Sequence, residues 1–234
     1  MQRQWSLLFS IVIASLPANR VPIRTHFKVV LRQPFLKRAL DLSLAIAGGL
    51  ILIPLCVILA VLIKLEDGGP ILYAQMRTGK DGEGFRSWKF RSMAANADEI
   101  YGAIQASEND PRVTRIGRIM RGAALDEIPQ VWNIIRGDMS FVGPRALRPE
   151  EFELRAGKKV ALSDVAGYAE RHSVTPGLTG IAQIYAPRDI PARSKFRLDR
   201  LYAQRQNFCF DLKLIALSIW ITLRGKWENR GSKL

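Results

Sequence analysis

The feature that most constrains this chain is the run without a charged residue from Leu42 to Ile63, with Pro54 near its middle and basic residues on both sides. At about 1.5 Å of rise per residue, such a run makes a helix of roughly 33 Å, close to the thickness of a bilayer's hydrocarbon core. The flanks add a second constraint. The first 40 residues carry Arg3, Arg20, Arg24, Lys28, Arg32, Lys37 and Arg38 and no acid, and Lys64, Arg77, Lys80, Arg86, Lys89 and Arg91 follow the run. Lys and Arg near a membrane segment favour the cytoplasmic side, so both ends ask for the same face. A helix that enters, bends and returns satisfies both. Pro54 removes a backbone donor and clashes with the preceding turn, and Gly48 and Gly49 weaken the incoming half. A kinked spanning helix also tolerates proline, so the residues alone leave both topologies open.

Beyond that run, a chain of 234 residues has room for one domain of ordinary size. The expected organisation is a basic interfacial leader over 1–36, a membrane helix over 37–64 and a catalytic domain over 65–234. The stretch Trp5 to Ala14 after Arg3 resembles a signal peptide, but cleavage there would leave a basic tail outside, against the flanks. A net charge of +14 beside 48% hydrophobic residues suits a membrane surface, with anionic lipid headgroups or polyphosphates as partners. No zinc-ligand spacing, RNP strand or KH loop is present, which argues against a nucleic-acid partner. Cys56 and Cys209 offer neither a disulfide framework nor a metal cluster.

After the turn at Asp67 to Pro70, Ile71 to Gln75 and Phe85 to Phe90 flank a glycine-rich connection and predict a hairpin. Arg112, Arg115, Arg118 and Arg121 recur at every third position with Ile116, Ile119 and Met120 between them. A helix there shows a basic face for headgroups or a solvated face over a core. From Phe208 to Trp227 lies another apolar stretch, too short to span, that reads as interfacial or core. The fold class expected is mainly α with a small β-hairpin (α+β), in a monotopic arrangement with interfacial amphipathic helices.

Two acid pairs compete for the chemistry. Asp98 and Glu99 lie in a polar helical stretch and read as a solvated surface pair. Asp126 and Glu127 stand in LDEIPQVWNIIRG, where Pro129 marks a helix's first turn and leaves the acids at its positive end. A carboxylate held there stays ionised, as a nucleophile or metal ligand requires, although simple capping explains many such pairs. GDMSFVGPR (Gly137 to Arg145) and VTPGLTGIAQ (Val174 to Gln183) supply tight turns that present backbone N–H groups and the Arg145 guanidinium to an anion. Neither a Walker lysine nor a dinucleotide fingerprint occurs.

The strings KRALDLSLA (Lys37 to Ala45), LDEIPQVWNIIRGDMSFVGPR (Leu125 to Arg145) and TPGLTGIAQ (Thr175 to Gln183) closely resemble the bacterial sugar transferases. These are the polyprenyl-phosphate hexose-1-phosphate, or monotopic phosphoglycosyl, transferases, and the resemblance runs from about Lys37 to Trp227 in their short form. It implies transfer of a sugar-1-phosphate from a UDP-sugar to polyprenyl phosphate, with release of UMP, at the cytoplasmic face of a bacterial inner membrane. That reaction opens exopolysaccharide or other glycoconjugate synthesis. By the same resemblance Asp126 is the nucleophile that carries a covalent phosphosugar, Glu127 is the second acid, and both are candidate ligands for magnesium.

Arg121, Arg145 and Arg188 match substrate-phosphate arginines. Pro176, Gly177, Leu178 and Thr179 match a nucleotide-binding turn, and Asp199 and Asp211 match accessory acids that also suit structural ion pairs. The resemblance favours the re-entrant topology, with one departure: the family's helix commonly breaks at Ser-Pro, whereas Ile53 precedes Pro54 here. A non-catalytic membrane scaffold is the alternative, and the complete set Arg121, Asp126, Glu127 and Arg145 speaks against it. A homo-oligomer is compatible with this reading, and the sugar is not encoded in any motif.

Overall fold

The computed structural model describes residues 34–94, 110–155, 157–187 and 190–227. Helix α1, Pro34–Asp67, runs as one element through Pro54 and is, among the described residues, the one helix long and apolar enough to cross a membrane. It extends about one turn beyond the expected bounds at each end. A seven-residue hairpin follows, β1 (Leu72–Thr78) against β2 (Gly84–Phe90), in antiparallel register from Leu72↔Phe90 to Thr78↔Gly84. The helical remainder comprises α2 (Arg115–Gly122), α3 (Gln130–Arg136), α4 (Tyr168–Arg171), α5 (Ile181–Tyr185), α6 (Ala192–Arg205) and α7 (Phe208–Leu223). Two further two-stranded pairs complete the α+β body. β3 (Ser140–Val142) lies parallel to β6 (Gly177–Thr179), and β4 (Phe152–Arg155) antiparallel to β5 (Lys158–Ala161).

Both ends of α1 pack against this one body. Near its start, Arg38 donates to the carbonyls of Ile134 and Ile135 at 2.5 and 2.6 Å, which places its charge on the last carbonyls of α3. One turn on, Asp41 accepts from the Ser140 hydroxyl and the Phe141 N–H, both at 3.0 Å, and Ala45 packs with Ile134 and Met139. Near its end, Leu59 and Ile63 join Phe90 and Met120 in a second apolar cluster. Glu66 then accepts from the first N–H groups of α2, and Asp67 holds the Arg91 guanidinium with both carboxylate oxygens. Between these docked ends Ile46, Leu50, Ile51, Ile53, Val57, Ile58 and Val61 are exposed.

The predicted arginine helix forms, but later than the repeat suggests. Arg112 precedes it and is buried against Asp110, while the Thr114 hydroxyl caps the N–H of Gly117. The repeat had mixed a local ion pair with a helical face. Helix α7 has a core face, with Asp211, Leu214, Ser218 and Ile221 buried at helical spacing, while Leu212, Ile219, Trp220 and Leu223 are exposed.

Two buried polar nodes hold the helices on the strands. In the first, Lys37 from α1 donates to the Val142 carbonyl at 3.0 Å, the Tyr202 hydroxyl at 3.1 Å and Asp211 at 2.8 Å. The Tyr202 hydroxyl lies 2.9 Å from both Val142 O and Asp211 Oδ1, and burial and then the Asp211 charge push its ionisation far above the usual range. In the second, Arg171 is 1% exposed and spends its guanidinium on Asp199 (2.9 Å), the Arg145 carbonyl (2.6 Å) and His172 Nε2 (3.1 Å). Arginine only donates, so Nε2 accepts, and the ring proton sits on Nδ1, facing the Tyr168 carbonyl at 2.7 Å. Burial and the adjacent Arg171 charge lower His172 to about 4.

Asp211→Ala leaves the Lys37 ammonium without its carboxylate in a largely closed site, with an expected loss of about 3 kcal/mol measured by denaturation in detergent. For His172 the neutral ring's contribution is complete above pH 6.5 and is lost as pH falls toward about 4. That amounts to about 3 kcal/mol, and His172→Gln should flatten this part of the stability profile.

Candidate active site

The chain turns back on itself after α2, and the two acids sit at that corner. Ala124 adopts a left-handed backbone, with φ 55°, and Leu125–Glu127 then form a single 3-10 turn before α3. An alanine in this region is strained by about 1–2 kcal/mol, and the surrounding packing must hold it. The acids therefore occupy their own turn one step ahead of the helix that Pro129 caps, instead of the first turn of that helix. Asp126 is 8% exposed. Arg121 lies half-buried in the last turn of α2, on the approach to this corner.

Strand β2 supplies the first partner of Glu127. Asn133 of α3, itself buried, accepts from the Trp88 N–H at 3.1 Å and donates to the Arg86 carbonyl at 2.8 Å, fixing β2 beside α3. The next residue, Lys89, pairs with Glu127 Oε1. Burial pushes the Glu127 carboxyl up, but Lys89, Arg145 and Arg77 outweigh it and hold the group below the ordinary glutamate range. Glu127 is thus ionised at neutral pH.

The GPR turn brings Arg145, and glycine is what lets it do so. A Cβ on Gly143 would lie 2.3 Å from the Thr175 carbonyl oxygen, and one on Gly177 would lie 2.0 Å from the Gly143 nitrogen. With only hydrogens there, Gly143 N–H donates to Thr179 O at 2.8 Å and Gly177 N–H to Pro144 O at 2.9 Å. Pro176, Gly177 and Thr179 are accordingly buried and Leu178 half-buried, as a strand beneath the turn. Arg171 secures the turn again through the Arg145 carbonyl and leaves the Arg145 side chain exposed.

Of the residues singled out in the sequence, Glu127 and Arg145 are electrostatic neighbours, and Asp126 shares the turn of Glu127. Asp199 and Asp211 lie in the two buried ion-pair nodes described above. Arg188 lies outside the described residues, as do Asp98 and Glu99. Lys89, Arg77 and Arg171 were not among the candidate site residues. No local pattern marks them, because each acquires its partner only when distant segments meet.

The residues that could hold a divalent metal are the adjacent carboxylates Asp126 and Glu127, and among the described residues no group of three His, Cys, Asp or Glu side chains forms a cage. That fits an ion held by one or two carboxylates plus substrate phosphates and water, the usual magnesium arrangement.

The bacterial sugar transferase profile matches residues 32–225. The exopolysaccharide production protein PSS of Rhizobium leguminosarum bv. phaseoli is 38% identical over 185 residues, covering 77% of this chain and 91% of that protein. The undecaprenyl-phosphate glucose phosphotransferase of Komagataeibacter xylinus is 40% identical over 188 residues, 78% of this chain and 35% of that one. The UDP-glucose:undecaprenyl-phosphate glucose-1-phosphate transferase of Escherichia coli K12 is 36% identical over 211 residues, 86% of this chain and 44% of the relative. The match thus spans nearly all of the short relative and less than half of the two longer ones. An acid turn with a basic surround, on a body docked to both ends of an apolar helix, accompanies a profile match over most of the length: this chain belongs to the bacterial sugar transferase family.

Proposed function

We propose that this chain transfers a sugar-1-phosphate from a UDP-sugar to polyprenyl phosphate at the cytoplasmic face of a bacterial inner membrane, releasing UMP and opening exopolysaccharide or related glycoconjugate synthesis. The observation that carries this reading is the Asp126–Glu127 turn, with Glu127 kept ionised by Lys89, Arg145 and Arg77. The names of the relatives supply the donor and acceptor classes.

In the first step a carboxylate oxygen of Asp126 attacks the sugar-bearing phosphorus. The new O–P bond forms as the bond to the UMP oxygen breaks, and UMP leaves with that electron pair. In the second step a phosphate oxygen of the lipid attacks the same phosphorus, the acyl-phosphate bond breaks, and Asp126 returns as a carboxylate. Arg121, Arg145 and Arg188 are assigned to the phosphates, where fixed guanidinium groups offset charge during phosphoryl transfer. Pro176 to Thr179 serve the nucleotide end by holding the Gly143–Arg145 turn from beneath. Magnesium, held by Asp126 and Glu127, would add neutralising charge on the transferring phosphoryl group.

The topology proposed is re-entrant, with residues 37–64 as the membrane helix and 65–234 as the cytoplasmic catalytic domain. Docking of both ends of α1 on one body supports this, as does the apolar exposure between them. A helix that crossed completely would carry one end away from that body. Exposed Ile119 beside Arg115 and Arg118, and Trp220 beside Arg224, suit anionic headgroups.

Asp126→Asn should lower magnesium-dependent UMP release from a panel of UDP-sugars on the order of 1,000-fold or more, and equal release would remove Asp126 as nucleophile. Lys89→Met removes the leading charge that holds Glu127 down, so the acidic limb of the UMP-release profile should move to higher pH, with Lys89→Arg near wild type. For topology, a cysteine at Trp5, with Cys56 and Cys209 replaced by serine, should react with an impermeant maleimide only after cells are opened.

A further inference from the structure

Strand β1 ends beside the turn that carries Arg145. The Thr78 N–H donates to the Leu147 carbonyl at 2.8 Å, and Arg77 Nη1 donates to the Ala146 carbonyl at 3.1 Å, so residues 145–148 run along the strand end. Arg77 is 7% exposed. Arg148 follows on the same segment, with its N–H on Glu151 at 3.0 Å and its Nη1 buried without a hydrogen-bond partner among the described residues. Among the described residues, the guanidinium groups of Arg77, Arg145 and Arg148 form no ion pair with a carboxylate within 4.0 Å. The acids nearby are Glu127, which Lys89 already pairs, and Glu151, which is turned to the backbone. Lys89 and the three arginines therefore leave two positive charges in excess over these acids, and adding Arg121 and Asp126 does not alter the balance.

Burying a guanidinium without a counter-charge is unfavourable, and buried Arg77, held by one backbone carbonyl, together with the unpartnered Nη1 of Arg148 and the exposed side chain of Arg145 on the adjoining segment, suits a polyanion. We propose that Arg77 and Arg148, beside Arg145, form a subsite for the diphosphate of a nucleotide sugar, whose two negative charges equal the excess. Burial, followed by the charges of Arg145 and Arg148, lowers Arg77 to about 10, although Glu151 and Glu127 oppose the shift. The assignment rests on the donor class stated under Proposed function. It adds two residues that neither the sequence motifs nor the phosphate-arginine set contained. The lipid phosphate shares this chemistry, and the test separates the two sources.

The full chain in detergent micelles, without magnesium, is titrated by calorimetry with UDP and, separately, with farnesyl phosphate. Arg148→Gln is expected to weaken UDP at least ~10-fold and farnesyl phosphate less than ~2-fold. Unchanged UDP affinity overturns the proposal, and so does a loss for farnesyl phosphate equal to or larger than that for UDP. Should Arg148→Gln lose its melting transition, Arg77→Lys, which keeps the charge but loses the fork, is judged by the same two criteria. Binding is read without turnover, so UMP release by Asp126→Asn would sink the nucleophile assignment and leave this result readable.

Discussion

The Lys37 ammonium is the point on which the rest of the structure depends. It leaves the first turns of α1 and meets the Val142 carbonyl, the Tyr202 hydroxyl and the Asp211 carboxylate, which belong to β3, α6 and α7. Those three elements also contribute, with α5, to the apolar cluster around Leu198, Leu214 and Ile221. A buried ion pair of this kind adds little net stability over a well-packed apolar contact, but it is specific in direction and register. Its effect here is to fix where the apolar helix begins relative to β3, and β3 leads directly into the GPR turn.

From that turn the site is assembled by backbone more than by side chains. Glycines at 143 and 177 let two chain segments touch main chain to main chain, and Arg171 ties the turn's last carbonyl to Asp199. The Arg145 side chain is therefore presented from a base that has little freedom. Opposite it, the strained corner at Ala124 sets the acids in a turn of their own, where basic neighbours outweigh burial for Glu127. The polyanion site proposed above would gain from this kind of preorganisation, since its charges need not be gathered at the moment of reaction.

Much of the fold was legible because it is local. The uncharged run, the hairpin and the helix behind Pro129 are each announced by composition or punctuation within a few residues. Arg112 shows where locality misleads: it kept the spacing of its neighbours yet turned inward to Asp110, two residues before it. The acids and Arg145 were legible through the resemblance of their strings. Arg77 and Lys89 were not, because their partners, the Ala146 carbonyl and Glu127, lie tens of residues away in the chain. The glycines of TPGLTG read as a presenting loop, but their missing side chains serve close packing from below.

The two-ended docking of α1 has a mechanical consequence. A helix fastened to its domain at one end can be tilted or withdrawn while the domain stays folded. Here the Lys37 and Arg38 end and the Glu66 and Asp67 end are both bonded into the same body, on different elements. Pulling the apolar segment out of its surroundings must strain contacts at α3 and α7 together with those at α2 and β2. Displacing the apolar helix thus disturbs at once the elements that carry the acid turn and the GPR turn.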